Sequence, residues 1–339
     1  MEPRSYMFLL PQREKVFNNI KHWSKPDCYI IDLQDGCPRS LLKTARANII
    51  KYADDLRSLD TRILLRTNGF NDPKEFNEDI KLLSLGFIDG VMLPYINDVK
   101  DLVRLDKALN NTELEYGHDS GRLSIVPLIE TVYSLLHLDR ITQASDRISA
   151  IALGLYDIFL DMNSQMNSEN INHISNKVLL GAKAAGLPFI DSPFIDVRDY
   201  AGLFKDCEKA VSIGADAKMV LHPDHVEVVN RAFSISKEEK VRLAKKIEGH
   251  QGGCGLNSSG EFIGPPIAES IKRQIAKKEI EETKPIDGLI PKVFEYGLDL
   301  NTVRKGQIIT CPYELTIDDS WRTIWTTLVA AGDLIETSD

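Results

Sequence analysis

Eight short apolar runs recur along the first two thirds of the chain, at intervals of roughly 30 residues, which is the length of one strand–helix unit. The runs are continuous rather than alternating, which favours parallel strands buried on both faces. Two of the intervening segments, 97–109 and 131–144, place apolar residues at three- and four-residue steps, as amphipathic helices do. The eight runs are 5–11, 27–33, 62–68, 89–94, 123–130, 148–154, 187–192 and 217–223.

A strand–helix alternation repeated eight times predicts an α/β fold, a (β/α)₈ TIM barrel that spans residues 1–234. A doubly wound open sheet is the alternative. It is less favoured because no strand is followed by a glycine-rich dinucleotide fingerprint. Pro127 lies inside the fifth run, where it cannot donate to a central strand, so we expect a bulge or kink there.

The sequence pattern changes after the eighth run. Residues 236–249 read as a charged amphipathic helix, 249–262 as a loop, and 265–282 as a helix that begins with proline. We therefore expect a helical lid or appendage at 235–282. The rest, 283–339, is an additional C-terminal segment of unknown role, with a strand or hairpin predicted at 306–317 and a capped helix at 319–335.

Composition limits the partners and the location of the protein. The chain carries 41 basic and 50 acidic residues, a formal net charge of −9, which argues against a nucleic-acid partner. Its five cysteines are scattered and fit no disulfide or metal-ligand spacing, which is typical of the reducing cytoplasm. The first apolar run ends at Pro11, too early for a signal peptide or a membrane span. We therefore expect a cytoplasmic protein with no membrane partner.

Polar side chains collect where the predicted strands end. In barrels of this type the chemistry is built at the carboxyl ends of the strands, so these residues are the site candidates. They are Asp32, Gln34 and Asp35 after the second run, Arg66 and Asn68 after the third, Glu130 and Thr131 after the fifth, and Asp157 after the sixth.

Carboxylates gathered on one rim raise each other's pKa unless a cation lies among them. A divalent ion together with Arg66 would meet that need. Mg²⁺ commonly takes one or two protein carboxylates, which makes Glu130 and Asp157 the candidate metal ligands, with Mn²⁺ as the alternative metal. Position alone is equally compatible with a salt bridge between Glu130 and Arg66 that merely closes the barrel.

A resemblance to a known family favours the metal. The segments RSYMFLLP, YIIDLQDGCP, LLRTNGF, DGVMLPYI, VPLIET, ALGLYDI, AGLPFIDSPFIDVRDYAGL and AKMVLHPDHVEVVN, taken in this order, resemble the citrate lyase beta-subunit-like family, which includes malyl-CoA and citramalyl-CoA lyases. The likeness extends over 4–234. It implies a (β/α)₈ barrel in which Glu130 and Asp157 bind Mg²⁺ and Arg66 contacts the oxo acid part of the substrate.

The resemblance implies a Mg²⁺-dependent carbon–carbon lyase or aldolase that cleaves or forms a 3-hydroxy acid or its coenzyme A thioester. Arg66, Asp32 and Asp35 are then the expected catalytic residues, with the two acids holding Arg66 and metal-bound water. Asn68, Gln34, Thr131 and Arg66 are the expected substrate contacts. A homo-oligomer, trimer or hexamer, is also implied. A thioester hydrolase and a non-catalytic subunit that binds metal and oxo acid are the alternatives.

Four positions depart from the family pattern, and all four concern the site. Gln12 replaces a glycine, Gln34 replaces an acid, and Tyr95 replaces a lysine. Gly264, in EFIGPP, stands where the coenzyme A lyases of the family carry an acid–base aspartate. General acid–base catalysis commonly accelerates a reaction by roughly 10²–10⁴-fold. Without the aspartate, the proton must come from another group. Glu261 is the nearby carboxylate that could replace it.

Overall fold

Eight parallel strands form a closed barrel in chain order in the computed structural model, which describes residues 3–250 and 252–280. Each strand lies within one of the eight predicted runs, so the predicted (β/α)₈ barrel is confirmed. The barrel and appendage belong to one compact unit, 3–195 with 203–280, and 196–202 belongs to a second unit. The strands are β1 (Ser5–Leu9), β2 (Cys28–Asp32), β3 (Arg62–Arg66), β4 (Gly90–Leu93), β5 (Ser124–Ile129), β6 (Ile151–Leu153), β7 (Phe189–Asp191) and β8 (Ala217–Val220).

Helices occupy the segments between and after the strands. The predicted helix at 131–144 is divided in two at His137, whose backbone leaves the helical region. Within the described residues the α-helices are α1 (Glu14–Asn19), α2 (Leu42–Lys51), α3 (Ala53–Arg57), α4 (Pro73–Ile80), α5 (Val99–Tyr116), α6 (Val132–Leu136), α7 (Leu138–Ile141), α8 (Leu155–Asp161), α9 (Ser168–Ala184), α10 (Tyr200–Ile213), α11 (His225–Ala232), α12 (Lys237–Lys246) and α13 (Pro265–Ile275). Short 3₁₀ segments lie at Ile20–His22, Arg39–Leu41 and Lys81–Leu85.

Local sequence signals set the ends of the long helices. A capping box between Asp98 and Asp101 starts α5, and Gly117 ends it in the left-handed conformation, with φ of 67°. The side chain of Asp72 caps α4, which has proline at its first position. These signals fix where each connector leaves and rejoins the barrel.

Pro127 is accommodated by a one-residue shift in the pairing of β5 with its neighbour. The pairing advances three residues along β5, from Ile125 to Leu128, and four along the neighbouring segment, from Ile148 to Ala152. Both backbone groups of Ile125 bond to that segment, and Pro127, two residues on, faces the same way without a donor. The expected bulge is therefore present, and the extra residue is on the strand opposite the proline.

The interior of the barrel is filled by alternate residues of each strand. Buried interior side chains include Cys28 and Ile30 on β2, Leu64 on β3, and Val126 and Leu128 on β5. Because side chains alternate with a period of two, the next inward positions are those of Asp32, Arg66 and Glu130. The polar rim therefore continues the apolar core at the carboxyl ends of the strands.

The appendage at 235–280 forms a small core of its own. The segment 249–262, predicted as a loop, also contains an antiparallel hairpin of β9 (Gly255–Leu256) and β10 (Phe262–Ile263), so that prediction was incomplete. Leu243, Ile263 and Ile271 pack together between α12 and α13. The Nζ of Lys278 lies 3.0 Å from Asp27, which directly precedes β2. The end of the appendage is thus attached to the amino end of the barrel, opposite the polar rim.

Some sequence predictions fall beyond these elements. The segment 283–339 lies outside the described residues. The proposed boundaries at 234 and 282, and the lid role of the appendage, stay predictions. Cys28, Cys37, Cys207 and Cys254 carry free thiols, and none of the described helices is long and apolar enough to cross a bilayer.

Glu113 near the end of α5 ties that helix to the amino ends of β5 and β6. Its carboxylate accepts two hydrogen bonds from Arg147, at 2.7 and 2.6 Å, and two more from the backbone N–H groups of Gly121 and Leu123. Burial alone would raise the pKa of Glu113, but these bonds, those from Arg147 first, lower it to about 2. The ionised carboxylate therefore stabilises the fold at neutral pH.

We expect Glu113→Gln to lower the free energy of unfolding at pH 7 by roughly 3–4 kcal/mol, because the pKa falls from 4.5 to about 2 and one pKa unit corresponds to about 1.4 kcal/mol. Because the pKa of Glu113 is lowered in the folded state, its stabilising effect is fully present above pH 4.5 and is lost as the pH falls towards 2. The stabilities of wild type and variant should therefore converge between these pH values. Urea unfolding across pH measures this. The exposed neighbour Glu115→Gln is the control, and equal effects of the two variants would contradict the assignment.

Candidate functional site

Arg66 and Asp32 form a buried bidentate ion pair between neighbouring strands. They are register partners on β3 and β2, with Nε and Nη2 of Arg66 each 2.7 Å from a carboxylate oxygen of Asp32. The guanidinium lies 4.8 Å from the ring centre of Phe8, an interior residue. Burial would lower the pKa of Arg66, but the Asp32 charge raises it above its ordinary value, so the cation persists. The Nη1–Nη2 edge remains for another anion.

A glycine lets the chain wrap around Asp32. The carboxylate also accepts hydrogen bonds from the N–H groups of Gln34 and Gly36, both at 3.0 Å. A Cβ at Gly36 would lie 2.2 Å from Oδ2 of Asp32, so only glycine fits there. Asp35, half exposed, lies 4.0 Å from Nη1 of Arg66. Asp32 holds Arg66 as predicted, and Asp35 borders its open edge.

Glu130 is buried at the end of β5 with only 1% of its surface exposed. Its Oε1 accepts a 2.6 Å hydrogen bond from the backbone N–H of Tyr95, and its Oε2 has no hydrogen-bond partner among the described residues. A Cβ at Gly154 would lie 2.6 Å from Cβ of Glu130 and 3.0 Å from Oε2, so the glycine backs the carboxylate. In the described part of the chain Arg66 pairs with Asp32 and Asp35, not with Glu130.

The charges on the rim do not balance. Burial raises the pKa of Glu130 to about 8, Asp157 and Asp35 add to the shift, and Arg66 and the Tyr95 N–H oppose it. Asp157, in the first turn of α8, also has a raised pKa, from burial first and then from the Asp35 charge. Both carboxylates would ionise more readily with another cation between them.

These residues fit a hard divalent ion. Among residues 3–250 and 252–280 no group of three His, Cys, Asp or Glu side chains converges as a metal cage. Mg²⁺ does not require one, since it is commonly held by one or two carboxylates and keeps its remaining positions for water and substrate oxygens. Oε2 of Glu130, buried and unbonded, is an oxygen donor of the required kind.

Two of the predicted substrate contacts are bonded to the protein. Nδ2 of Asn68 donates to Asp79 and to the carbonyl of Leu33, both at 2.9 Å. Oγ1 of Thr131 donates to the carbonyl of Ile96 at 2.8 Å and accepts from the N–H of Ser134 in the capping box of α6. Both side chains support the rim, and their direct contact with substrate stays a prediction.

Tyr95, expected at the site, has a backbone conformation that the sequence does not reveal. Its backbone is left-handed, with φ of 49°, although it is a bulky residue. Burial, then the charges of Asp35, Asp157 and Glu130, raise the pKa of its phenol to about 12, while a hydrogen bond with the side chain of Gln34 opposes the shift. Oε1 of Gln34 is buried without a partner. The phenol therefore lies within range of the charges on the rim carboxylates.

Gly264 and Glu261 make their described contacts within the appendage. Gly264 is the N-cap of α13, and a Cβ there would contact Phe262 and Cys254, both in the hairpin region. Glu261 hydrogen-bonds to Asn257 and lies 3.0 Å from Lys246, so its contacts stay within the appendage.

A cavity of about 570 Å³ lies at the opposite end of the barrel, beside the start of β3. Its three arginines each bond to the protein: Arg57 donates to the carbonyl of Leu85, Arg62 to Ser124 and Ser149, and Arg122 to the carbonyl of Ile88. Only Nε of Arg122 is buried without a partner among these three side chains. The polar rim, not this cavity, is therefore the candidate active site.

Comparison with known proteins agrees with the barrel fold. The family model described as HpcH/HpaI aldolase/citrate lyase matches residues 4–223. The chain belongs to this family. It is 24% identical to citrate lyase subunit beta of Leuconostoc mesenteroides subsp. cremoris, covering 73% of this chain and 84% of that protein. It is also 24% identical to mitochondrial citramalyl-CoA lyase of Homo sapiens, covering 74% and 78%.

A solved structure shares the fold. CitE of Mycobacterium tuberculosis, in complex with magnesium, acetoacetate and coenzyme A, superposes with a TM-score of 0.63 at 20% identity, covering 81% of this chain and 98% of that one. The resemblance found in the sequence is thus confirmed at the level of family and fold.

We expect Gly154→Ala to weaken Mg²⁺ binding at least tenfold, because the added methyl group would displace the Glu130 carboxylate, a loss of about 1.4 kcal/mol or more. Calorimetric titration with Mg²⁺ measures the affinity, and circular dichroism checks the fold. Gly255→Ala is the matched control, since a Cβ there meets nothing within 4 Å. Wild-type affinity in Gly154→Ala would show that Glu130 is not a ligand.

The raised pKa of Glu130 predicts a pH dependence of the metal-free protein. Glu130 has a folded-state pKa of about 8, above the ordinary 4.5, so the fold favours the neutral acid. The stability that the neutral acid contributes is fully present below pH 4.5 and is lost as the pH rises through 8. In EDTA, wild type should therefore lose stability relative to Glu130→Gln between pH 5 and 9, as measured by urea unfolding. A constant difference across that range contradicts the burial argument.

Proposed function

We propose that this protein is a Mg²⁺-dependent carbon–carbon lyase or aldolase that cleaves, or in reverse forms, a 3-hydroxy acid or its coenzyme A thioester. The observation that carries the proposal is the unbonded Oε2 of Glu130, buried beside Asp157 and the charge of Arg66. The activities of the relatives, citrate lyase beta and citramalyl-CoA lyase, support it. So do homologue structures that hold magnesium with oxaloacetate or coenzyme A.

The residues have distinct tasks in such a reaction. Glu130 and Asp157 hold the metal, which when bound acts as a Lewis acid on the oxo or hydroxyl oxygen. Arg66 binds the oxo acid carboxylate through its Nη1–Nη2 edge, because Asp32 occupies the other edge. The N–H of Tyr95 fixes Glu130 in place. The negative charge that develops on bond cleavage therefore meets a preorganised, largely buried site.

The ligands, the oligomeric state and the location that we propose follow from the family. The proposed ligands are small oxo acids and hydroxyacyl-coenzyme A thioesters. We also propose a homo-oligomer, a trimer or hexamer, and a cytoplasmic location.

Incubation with malyl-, citramalyl- and citryl-CoA tests the function. With Mg²⁺ we expect release of glyoxylate, pyruvate or oxaloacetate, identified by mass spectrometry, and none with EDTA. Glu130→Gln and Asp157→Asn should each weaken Mg²⁺ binding at least tenfold while the protein stays folded, because each removes a charged ligand. Asp139→Asn, at an exposed position on α7, is the control.

Other outcomes identify the alternatives. Free coenzyme A without an oxo acid indicates a thioester hydrolase. Binding of Mg²⁺ and oxo acid without turnover indicates a non-catalytic subunit, with Gly264 as the physical reason. Unchanged metal affinity in both carboxylate variants would refute the metal site itself.

A further inference from the structure

A buried lysine anchors the residue that follows β7. Lys218 on β8, with 1% of its surface exposed, is the register partner of Asp191, and its Nζ lies 2.6 Å from Oδ2 of that residue. The same Nζ pairs with Asp206 on α10 and donates to the carbonyl of Ser192 at 2.6 Å. Burial would lower the pKa of Lys218, but the charges of Asp191 and Asp206 raise it above its ordinary value, so the cation persists. Ser192, directly after β7, is therefore held in place.

The hydroxyl group of Ser192 bridges the turn that joins β6 to α8, residues 153–155. Its Oγ donates to the carbonyl of Leu153 at 2.7 Å and accepts from the N–H of Leu155 at 3.3 Å. Gly154 between them is the N-cap of α8 and makes no side-chain capping bond. Because the first N–H groups of a helix have no partner within the helix, Ser192 supplies from the neighbouring strand end the cap that Gly154 lacks.

The 153–155 turn supports both candidate metal ligands. Asp157 lies two residues beyond Leu155, in the first turn of α8. Gly154 donates its N–H to the carbonyl of Ile129 at 2.9 Å, and a Cβ on it would lie 3.0 Å from Oε2 of Glu130. With only 7 residues, α8 has little stability of its own, so its start depends on contacts from outside the helix. The turn therefore fixes where Asp157 lies relative to Glu130.

We propose, on the basis of the metal site proposed above, that Ser192 is a positioning residue that sets the spacing between Glu130 and Asp157. Lys218 anchors the carbonyl of Ser192, and the hydroxyl group of Ser192 holds the 153–155 turn. Removal of a residue that orients a metal ligand without touching the metal commonly weakens metal binding by roughly 10–100-fold. The buried ion pairs of Lys218 thereby serve the metal site as well as the fold.

Titration of Mg²⁺ into folded variants measures this positioning without relying on turnover. Ser192→Ala removes both hydrogen bonds to the turn, so Asp157 loses its fixed place and Mg²⁺ should bind roughly tenfold or more weakly. Ser192→Thr keeps a hydroxyl group and should restore the wild-type affinity. Calorimetry gives the affinity, and circular dichroism with urea unfolding checks the fold.

Ser5→Ala is the matched control at the amino end of the barrel. Ser5 is also buried, and its Oγ likewise donates one hydrogen bond, to Asn230, and accepts one, from the N–H of Asp27. Both alanine variants should lose similar stability in urea, but only Ser192→Ala should lose Mg²⁺ affinity. A serine with a purely structural role would not produce that difference.

The outcomes separate the positioning role from the proposed function. Wild-type affinity in Ser192→Ala, an equal loss in Ser5→Ala, or no recovery in Ser192→Thr overturns the role of Ser192 and leaves the metal site standing. Absence of Mg²⁺ binding by the wild-type protein overturns both. If Ser192→Ala does not fold, Ser192→Cys takes its place, because a thiol is similar in size but a weak hydrogen-bonding group. A loss of Mg²⁺ affinity is again expected, and unchanged affinity in that variant overturns the role.

Discussion

Closure of the parallel barrel is the constraint on which the rest of this structure depends. Once eight strands are joined edge to edge, each side chain points either inward or toward the surrounding helices, with a strict period of two. The apolar interior positions of β2, β3 and β5 therefore lead, one step later, to Asp32, Arg66 and Glu130. Three polar side chains from three strands meet on one rim, because the alternation that fills the core with apolar groups continues to the carboxyl ends of the strands.

An incomplete charge balance makes that rim chemically active. Asp32 neutralises Arg66 through two hydrogen bonds, and this pair is self-sufficient. Glu130 has only a backbone N–H for one oxygen, and Asp157 adds a second acid with a raised pKa. A buried carboxylate without a full set of partners is costly, so its retention favours a bound cation over a purely structural role. Gly154 supports this view, since any larger residue would push the carboxylate out of place.

The departures from the family pattern acquire a common physical meaning on the rim. Gln34 and Tyr95 stand where the family pattern has two charged residues, and each follows a strand whose carboxyl end forms the rim. Gly264 removes a carboxylate from an appendage whose end, at Lys278, is attached to the opposite end of the barrel. The net effect is a chain with fewer side-chain charges at these positions than the family pattern has.

The sequence by itself determined the barrel, because continuous apolar runs at regular spacing fit few other folds, and it placed Glu130, Asp157 and Arg66 at strand ends. It could not determine how those groups pair. The family resemblance implied that Asp32 holds Arg66, but only the tertiary structure showed that this pair leaves Glu130 without an ion pair among the described residues, and that Tyr95 adopts a left-handed backbone. Strand register, backbone dihedrals and burial come from contacts between residues distant in the chain, and those contacts decide which charges are compensated.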